Sequence, residues 1–439
     1  MRFLLACAIG AYASRGFADA DVIGMTAVRH FDPTLTGTGV PLAQVEASDP
    51  GWQANPDVVN PLACQMTWVC GSGCSTNFPN ALGAESGHAD EVGRLCFSVA
   101  PGITQLDNYE AAYFTSGVIP NEVPINARIV NQSFAYFARN TRVDQQYDNY
   151  AAKYNVLFVS GAGNSGWVRS PGTAYNGISV AAYGGSSSVG PSTDGRSKPD
   201  ITAPGTMTSF STPLVSGAAA LLMQAGATDI RLIKALLLNG AQKPVDWTNC
   251  PASPLDARYG AGILNVFNSW SQFRKGTRRG WDLTTIASNE VRRYAFDVRA
   301  SAFTATLVWM RHYGCTNISN LDMRFRNVDN ELIARSESIL DNVEHIYFPN
   351  LASGFYTLEV SSAAEETYAV VFDFGPSVPP RLSAWTLTGE PNQRYLIETT
   401  TDFRLWIPWL TNTTSSAGIF EFAPDIDASA RFFRAVELP

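Results

Sequence analysis

The chain has 439 residues, 45% of them apolar and 16% charged, with a net charge of −8 at pH 7. That length and balance describe two or three folded domains with a sizeable core. The acidic charge, with no basic tract, argues against nucleic acid and an anionic membrane surface as principal partners.

The first predicted element is a leader. Met1-Arg2 is followed by an apolar run from Phe3 to Ala13, with small-residue exits at Ala11-Tyr12-Ala13 and Ala18-Asp19-Ala20. Residues 1–20 therefore read as a secretory signal peptide, too short to span a membrane as a mature helix. The expected location is outside the cell, at its surface or in the periplasm. Leu4-Leu5-Ala6-Cys7 loosely matches a lipoprotein cleavage pattern, but it lies so near the N-terminus that it reads as coincidence.

From about residue 21 to 270, short apolar runs alternate with amphipathic segments, which predicts a parallel sheet with helices on both faces. The segment Gly37 to Ser48 puts Glu46, a carboxylate, at a strand end; Ser86-Gly87-His88-Ala89-Asp90-Glu91-Val92-Gly93 follows, with Val99-Ala100-Pro101-Gly102-Ile103 shortly after. Val143, Tyr147, Tyr150, Ala151 and Tyr154 mark a helix whose tyrosine stripe is packing. It precedes a buried strand, Val156-Leu157-Phe158-Val159, that runs into Ser160-Gly161-Ala162-Gly163-Asn164-Ser165-Gly166. Thr208-Ser209-Phe210-Ser211-Thr212-Pro213-Leu214-Val215-Ser216-Gly217 then opens an apolar helix. Taken singly, Ser209 is a helix cap, Asn164 a turn residue and His88 a partly buried histidine. A serine at a helix N-terminus, however, also has backbone N–H groups beside it that can stabilise a developing anion.

Order and spacing change that reading. The Ser209 segment resembles the serine motif of the subtilisin-like proteases, and Ser197-Lys198-Pro199-Asp200-Ile201-Thr202-Ala203-Pro204-Gly205 resembles the approach to it. Met207 stands where the family has Gly and Ser211 where it has Ala, and the lost glycine could alter the backbone into the nucleophile. The His88 segment resembles a loosened histidine motif, and Gly37 to Ser48 resembles the acid motif, with Glu46 in place of Asp. Acid, histidine and serine then run in the subtilisin order. The resemblance implies Ser209 as nucleophile, His88 as base, Glu46 as the acid that orients it and Asn164 as oxyanion donor. Asp49 is an alternative acid, three residues further on. Glu46 is one methylene longer than Asp, about 1.5 Å, so the strand end must sit back or the side chain must fold.

Gly161 and Gly163 would let a substrate approach closely, and Ile129-Val130-Asn131-Gln132-Ser133-Phe134 resembles the strand edge on which a substrate peptide pairs, placing Ser133 and Phe134 in the substrate site. Tyr259-Gly260-Ala261-Gly262-Ile263-Leu264-Asn265-Val266 resembles the segment that closes the domain, so the resemblance covers roughly residues 36 to 270.

Beyond it, Thr304 to Trp309, Leu321 to Phe325 and Gly354 to Val360 alternate at period two, predicting an antiparallel β-sandwich over 271–375, similar to the jelly-roll domains of secreted subtilisin-like proteases. Gly375-Pro376-Ser377-Val378-Pro379-Pro380 gives a stiff linker, 376–380. Tyr395 to Trp406 and Arg431 to Arg434 place short strands in 381–439, which resembles a small fibronectin-like module.

With Cys7 in the leader, Cys64, Cys70, Cys74, Cys96, Cys250 and Cys315 remain, an even number that predicts disulfides after export. Pairing is not deducible, and the Cys64/Cys70/Cys74 spacing fits no zinc pattern. No cofactor is needed for the chemistry; the resemblance allows structural calcium, without a ligand set in the sequence. Too few residues separate Ala20 from Gly37 for a folded propeptide, so the chain is expected to fold without one or with help from its C-terminal domains. The expectation is a secreted, monomeric serine endopeptidase acting on protein or peptide substrates through a Ser-His-Glu triad. The rival is an inactive exported pseudo-protease that binds through the old cleft and the β modules.

Overall fold

The structure, a computed structural model, describes residues 22–47, 53–54, 64–299, 301–375, 385–400, 406–422 and 432–438. The expected leader, Asp49 and the 376–380 linker lie outside those residues. The chain divides into two compact units, 1–375 and 376–439.

Helix α1 (Met25–Phe31) precedes strand β1 (Leu42–Glu46). The chain continues through β2 (Gln53–Ala54), β3 (Gln65–Cys70), β4 (Gly73–Ser75) and β5 (Ala84–Glu85) to α2 (Gly87–Val99). Then come β6 (Gln105–Glu110), β7 (Ile129–Gln132), α3 (Thr141–Tyr154), β8 (Leu157–Gly161), β9 (Ile178–Tyr183), β10 (Ile201–Pro204), α4 (Thr208–Gln224), α5 (Ile230–Gly240) and α6 (Val266–Arg274). The main sheet has the order β10-β9-β8-β7-β1-β6-β3-β4, parallel except for the terminal β3–β4 hairpin. Every residue of β1, β7, β8 and β10 is buried, odd and even positions alike, so both faces of the sheet are covered.

After β1 the chain builds outwards to β3 and β6 on one side, then returns to place β7 on the other. Strand order reverses at β1, and in an open parallel sheet that reversal opens a crevice at the carboxyl ends of the strands. Glu46 ends β1, Ser133 follows β7, and Gly161 ends β8, so three of the expected site positions meet at this edge.

The expected helix on the tyrosine stripe is α3, with Tyr147 and Tyr150 fully buried against Phe158 of β8, which confirms packing. Asn140 caps it by accepting from the Arg142 and Val143 N–H groups, and Asn155, at φ 52°, ends it.

Residues 281–375 form two antiparallel four-stranded sheets. Their strands are β11 (Trp281–Ile286), β12 (Val291–Val298), β13 (Ser301–Trp309), β14 (Leu321–Asn327), β15 (Leu332–Ser336), β16 (Val343–Leu351), β17 (Gly354–Ser362) and β18 (Glu366–Gly375). The sheet orders are β11-β18-β13-β16 and β12-β17-β14-β15. Strand β13 shows how this layer joins the parallel sheet. Phe303, Ala305, Leu307 and Trp309 enter the core between the two antiparallel sheets, whereas the alternate residues Thr304 and Thr306 donate to Asn239 Oδ1 on α5 and Val308 joins the larger core. A buried ion pair, Arg311 Nη2 to Asp148 Oδ2 at 2.5 Å, spans the same join.

The second unit contains β19 (Trp385–Thr388), β20 (Arg394–Thr400), β21 (Ile407–Thr413), β22 (Ile419–Phe422) and β23 (Phe432–Glu437). β19 pairs with β22, and β20 lies between β21 and β23, all antiparallel.

The expected disulfides are not formed: Cys64, Cys70, Cys74, Cys96, Cys250 and Cys315 carry free thiols. In the β3–β4 hairpin Cys74 stands opposite Val69, so Cys70 and Cys74 fall on opposite faces. Among the described residues no helix is long and apolar enough to cross a membrane.

Candidate active site

Helix α4 begins at Thr208, and its first fifteen residues are buried, which suits a helix apolar all round. The residue before it, Met207, is extended, at φ −153° and ψ 162°. Any residue adopts that conformation, so the departure from glycine leaves the backbone into Ser209 undistorted. Ser211, the other departure, is buried and donates to the Pro204 carbonyl at 3.2 Å.

Pro213 lies inside α4. It has no N–H to give the carbonyl four residues back, which belongs to Ser209. Ser133 Oγ supplies the missing donor, bonding that carbonyl at 2.9 Å, while Ser209 Oγ donates to the Ser133 carbonyl at 3.3 Å. The two serines thus hold each other, with Asn131 Nδ2 donating to Ser133 Oγ at 3.1 Å. Ser209 is 8% exposed.

His88 sits in the first turn of α2, whose N-cap Ser86 accepts from the Ala89 N–H. Close approach of α2 and α4 brings the histidine to the start of α4. A Cβ on Gly217 would lie 2.7 Å from Val99 Cβ and 3.0 Å from the Cys96 carbonyl, so only glycine lets the helices cross there. The His88 ring lies against Phe210, next in chain to Ser209, with ring centroids 5.5 Å apart.

His88 Nδ1 lies 3.1 Å from Glu46 Oε2. The other carboxylate oxygen accepts from Gln44 Nε2 at 3.0 Å, and Gln44 also donates to the Ala89 carbonyl at 2.8 Å. Glu46 and Gln44 are each 2% exposed. Burial opposes protonation of His88, but the attraction of the Glu46 carboxylate and its hydrogen bond outweigh it, holding the imidazole pKa above its ordinary 6.5. A carboxylate on Nδ1 fixes the tautomer that leaves Nε2 free to accept a proton.

Asn164 is exposed at the end of the loop after β8. Its Oδ1 accepts from both the N–H and the hydroxyl of Thr208, each at 2.9 Å, and so caps α4 from a distance. That fixes the amide's orientation with its NH2 outward. Neither this NH2 nor the Ser209 N–H makes a hydrogen bond among the described residues, and both are tied to the first turn of α4, where the helix dipole is positive.

The expected substrate residues divide. Ser133 is buried beneath Ser209, and Phe134 is buried and packs near Tyr136, so neither side chain lines an open wall. A Cβ on Gly161 would meet Thr208 Oγ1 at 3.1 Å, and one on Gly163, at φ +102°, would meet Ser188 Oγ at 2.7 Å. Both glycines are buried, and their missing side chains make room for Thr208 and Ser188. The remaining histidines are elsewhere engaged: His345 with Thr306 Oγ1, His312 with Glu366, and His30 against Phe31 on α1.

Behind the site, Asp200 accepts from Lys198 at 2.6 Å, from Lys234 at 3.0 Å and from the Ser179 N–H at 2.7 Å, all three charges being buried. Burial raises the Asp200 pKa, but the two lysines outweigh that and hold it below the usual range. The segment around Gly262 lies along β10 through the bonds Ala261 N–H to Asp200 O and Leu264 N–H to Thr202 O.

Sequence reading missed Gln44, Thr208 and the second role of Ser133. Gln44 had a signal, being two residues before Glu46 and therefore on the same strand face. Among the described residues no group of three or more His, Cys, Asp or Glu side chains is placed to hold a metal ion.

A sheet edge that gathers a serine at a helix start, an imidazole on a buried carboxylate and two unengaged N–H donors has the parts of a serine hydrolase of the acyl-transfer class. Residues 101–262 match the Peptidase S8 model of the subtilase family, a span that holds Ser133, Asn164 and Ser209 and begins after Glu46 and His88. Over that span the chain is similar to the subtilases, which supports a serine endopeptidase. Among solved structures it is similar to a protease of Pseudoalteromonas arctica, with 17% identity and a TM-score of 0.41, covering 54% of this chain and 91% of that one. A psychrophilic subtilisin-like protease from an Antarctic Pseudoalteromonas shows 12% identity and a TM-score of 0.41, covering 58% and 98%.

Proposed function

We propose that the enzyme hydrolyses peptide bonds through a Ser209-His88-Glu46 triad. Ser209 Oγ turns from the Ser133 carbonyl to His88 Nε2, gives up its proton and attacks the scissile carbonyl. The oxyanion takes hydrogen bonds from the Asn164 NH2 and the Ser209 N–H. The imidazolium, balanced by Glu46, protonates the leaving amine. Water, deprotonated by the same imidazole, then splits the acyl ester and frees Ser209. Glu46 takes the place of the usual Asp and delivers a carboxylate oxygen to His88 Nδ1 from the last residue of β1.

The observation that carries this reading is the 3.1 Å contact between Glu46 and His88, with Gln44 fixing the other carboxylate oxygen. Export through residues 1–20, action as a monomer, a peptidase domain over 21–270, a jelly-roll-like sandwich over 271–375 and a fibronectin-like module over 381–439 belong to the same proposal. A fluorophosphonate probe tests its core. Labelling of the folded chain that disappears in Ser209→Ala supports the triad, and folded protein that never labels argues for an inactive relative.

A further inference from the structure

We propose that Arg169 determines specificity, selecting an acidic side chain, Asp or Glu, on the substrate residue that supplies the scissile carbonyl. The inference rests on the serine-peptidase reading above. If that carbonyl lies between Ser209 and the Asn164 amide, the side chain of its residue runs along the segment that carries Asn164. Arg169 stands beside that segment: its N–H donates to the Ala162 carbonyl at 3.2 Å. Its side chain fills the room left by the missing side chain of Gly163, where a Cβ would lie 3.5 Å from Arg169 Cδ and 3.6 Å from Nε.

The guanidinium has no counter-charge. Both of its side-chain hydrogen bonds leave from Nη2 and go to neutral oxygens, the Ser165 carbonyl at 3.0 Å and the Ser165 hydroxyl at 3.2 Å. Nε and Nη1 make no hydrogen bond, and no carboxylate lies within ion-pair distance, among the described residues. Two other arginines of this domain differ: Arg139 and Arg196 are both paired with Asp144 and Asp194. Arg169 is half-buried, so a carboxylate reaching it would replace little water and accept charge-assisted bonds from a planar fork that Ser165 already holds in place. Phe134, the apolar side chain expected in the substrate site, is buried in the core, so it does not compete with that charge.

The test uses the full chain and three peptide amides that differ only in the residue before the scissile bond, Glu, Gln or Lys. Expected is a kcat/KM for Glu roughly tenfold to a hundredfold above that for its neutral isostere Gln, the range of a hydrogen bond to a charged group, with Lys lowest. Arg169→Glu should invert the order in favour of Lys, and Arg169→Lys should keep its sign. A brace for the Ser165 turn would not produce that inversion. A wild-type enzyme that cleaves Gln as well as Glu, or a Glu-to-Lys ratio unchanged in Arg169→Glu, overturns the proposal while catalysis stands. Should Arg169→Glu fail to fold, the ratio in Arg169→Gln decides in the same way. No cleavage of any peptide together with no fluorophosphonate labelling overturns both this inference and the triad.

Discussion

Restoring the residue usual in the family should damage this enzyme. In Glu46→Asp the backbone position is set by β1, which is paired on both sides, Val45 opposite Tyr109 and Gln132, and buried throughout. The strand cannot advance without breaking that register. Shortening the side chain by one methylene, about 1.5 Å, takes the carboxylate from 3.1 Å to about 4.6 Å from His88 Nδ1, beyond hydrogen-bond reach. The Gln44 contact to the other oxygen is strained in the same way. A hydrogen bond to a charged group contributes about 1.5–3 kcal/mol, so kcat/KM on a peptide amide should fall roughly tenfold to a hundredfold, while residual Coulomb attraction keeps the variant above Glu46→Gln. Thermal melting should move little, since the removed group is one methylene. A Glu46→Asp enzyme as active as the parent would refute the reasoning.

Further outcomes follow from the same geometry. His88 is held above 6.5 by Glu46 against burial, so the acid limb of kcat/KM should lie above about 6.5, and in Glu46→Gln, where burial acts alone, it should move below that value; turnover there should fall by about 10⁴. By the same sign the pair stabilises the fold fully below the unfolded imidazole value and loses that contribution as pH rises through the folded one, which pH-dependent denaturant melts can follow. Asn164→Asp keeps the oxygen that caps Thr208 but loses the donor, so melting should hold while kcat drops by about 10²–10³ or more, the loss known for an oxyanion donor in subtilisin. Asp200→Asn strands two buried lysines and should cost about 3–5 kcal/mol in urea unfolding. Deleting residues 271–439 should lower the yield of folded peptidase, because Asp148 loses Arg311 and the core loses Val308, Val343, Ala369 and Val371; unchanged refolding would count against this.

Much of the site was legible because its parts are short segments with strong local rules. The apolar run after Ser209 could only be a buried helix, and the Val156 run before the glycines could only be a strand feeding a loop, so Ser209 and Asn164 fell where expected. Glu46 was legible as the end of a strand, but its reach was not. That depends on where β1 stops, which is set by pairing with β6 and β7, up to 87 residues of sequence away (Val45 opposite Gln132), not by anything local. Ser133 illustrates the remaining limit. Its place after a strand was readable, yet its work, replacing the donor that Pro213 lacks, requires knowing that two segments touch. Arg169 was invisible for the same reason, since four residues of loop separate it from Asn164 and only the fold returns it to Gly163. The cysteines followed a compartment argument that fixes no distance, and the structure holds them as thiols.

The account turns on Ser209 carrying the acyl group. Mixing the enzyme with an activated ester should give a burst of leaving group equal to one equivalent of enzyme, with the acyl group mapped by mass spectrometry to Ser209. The burst should vanish in His88→Ala. An absent burst from folded, monodisperse protein, or an acyl group mapped to any other residue, would contradict it.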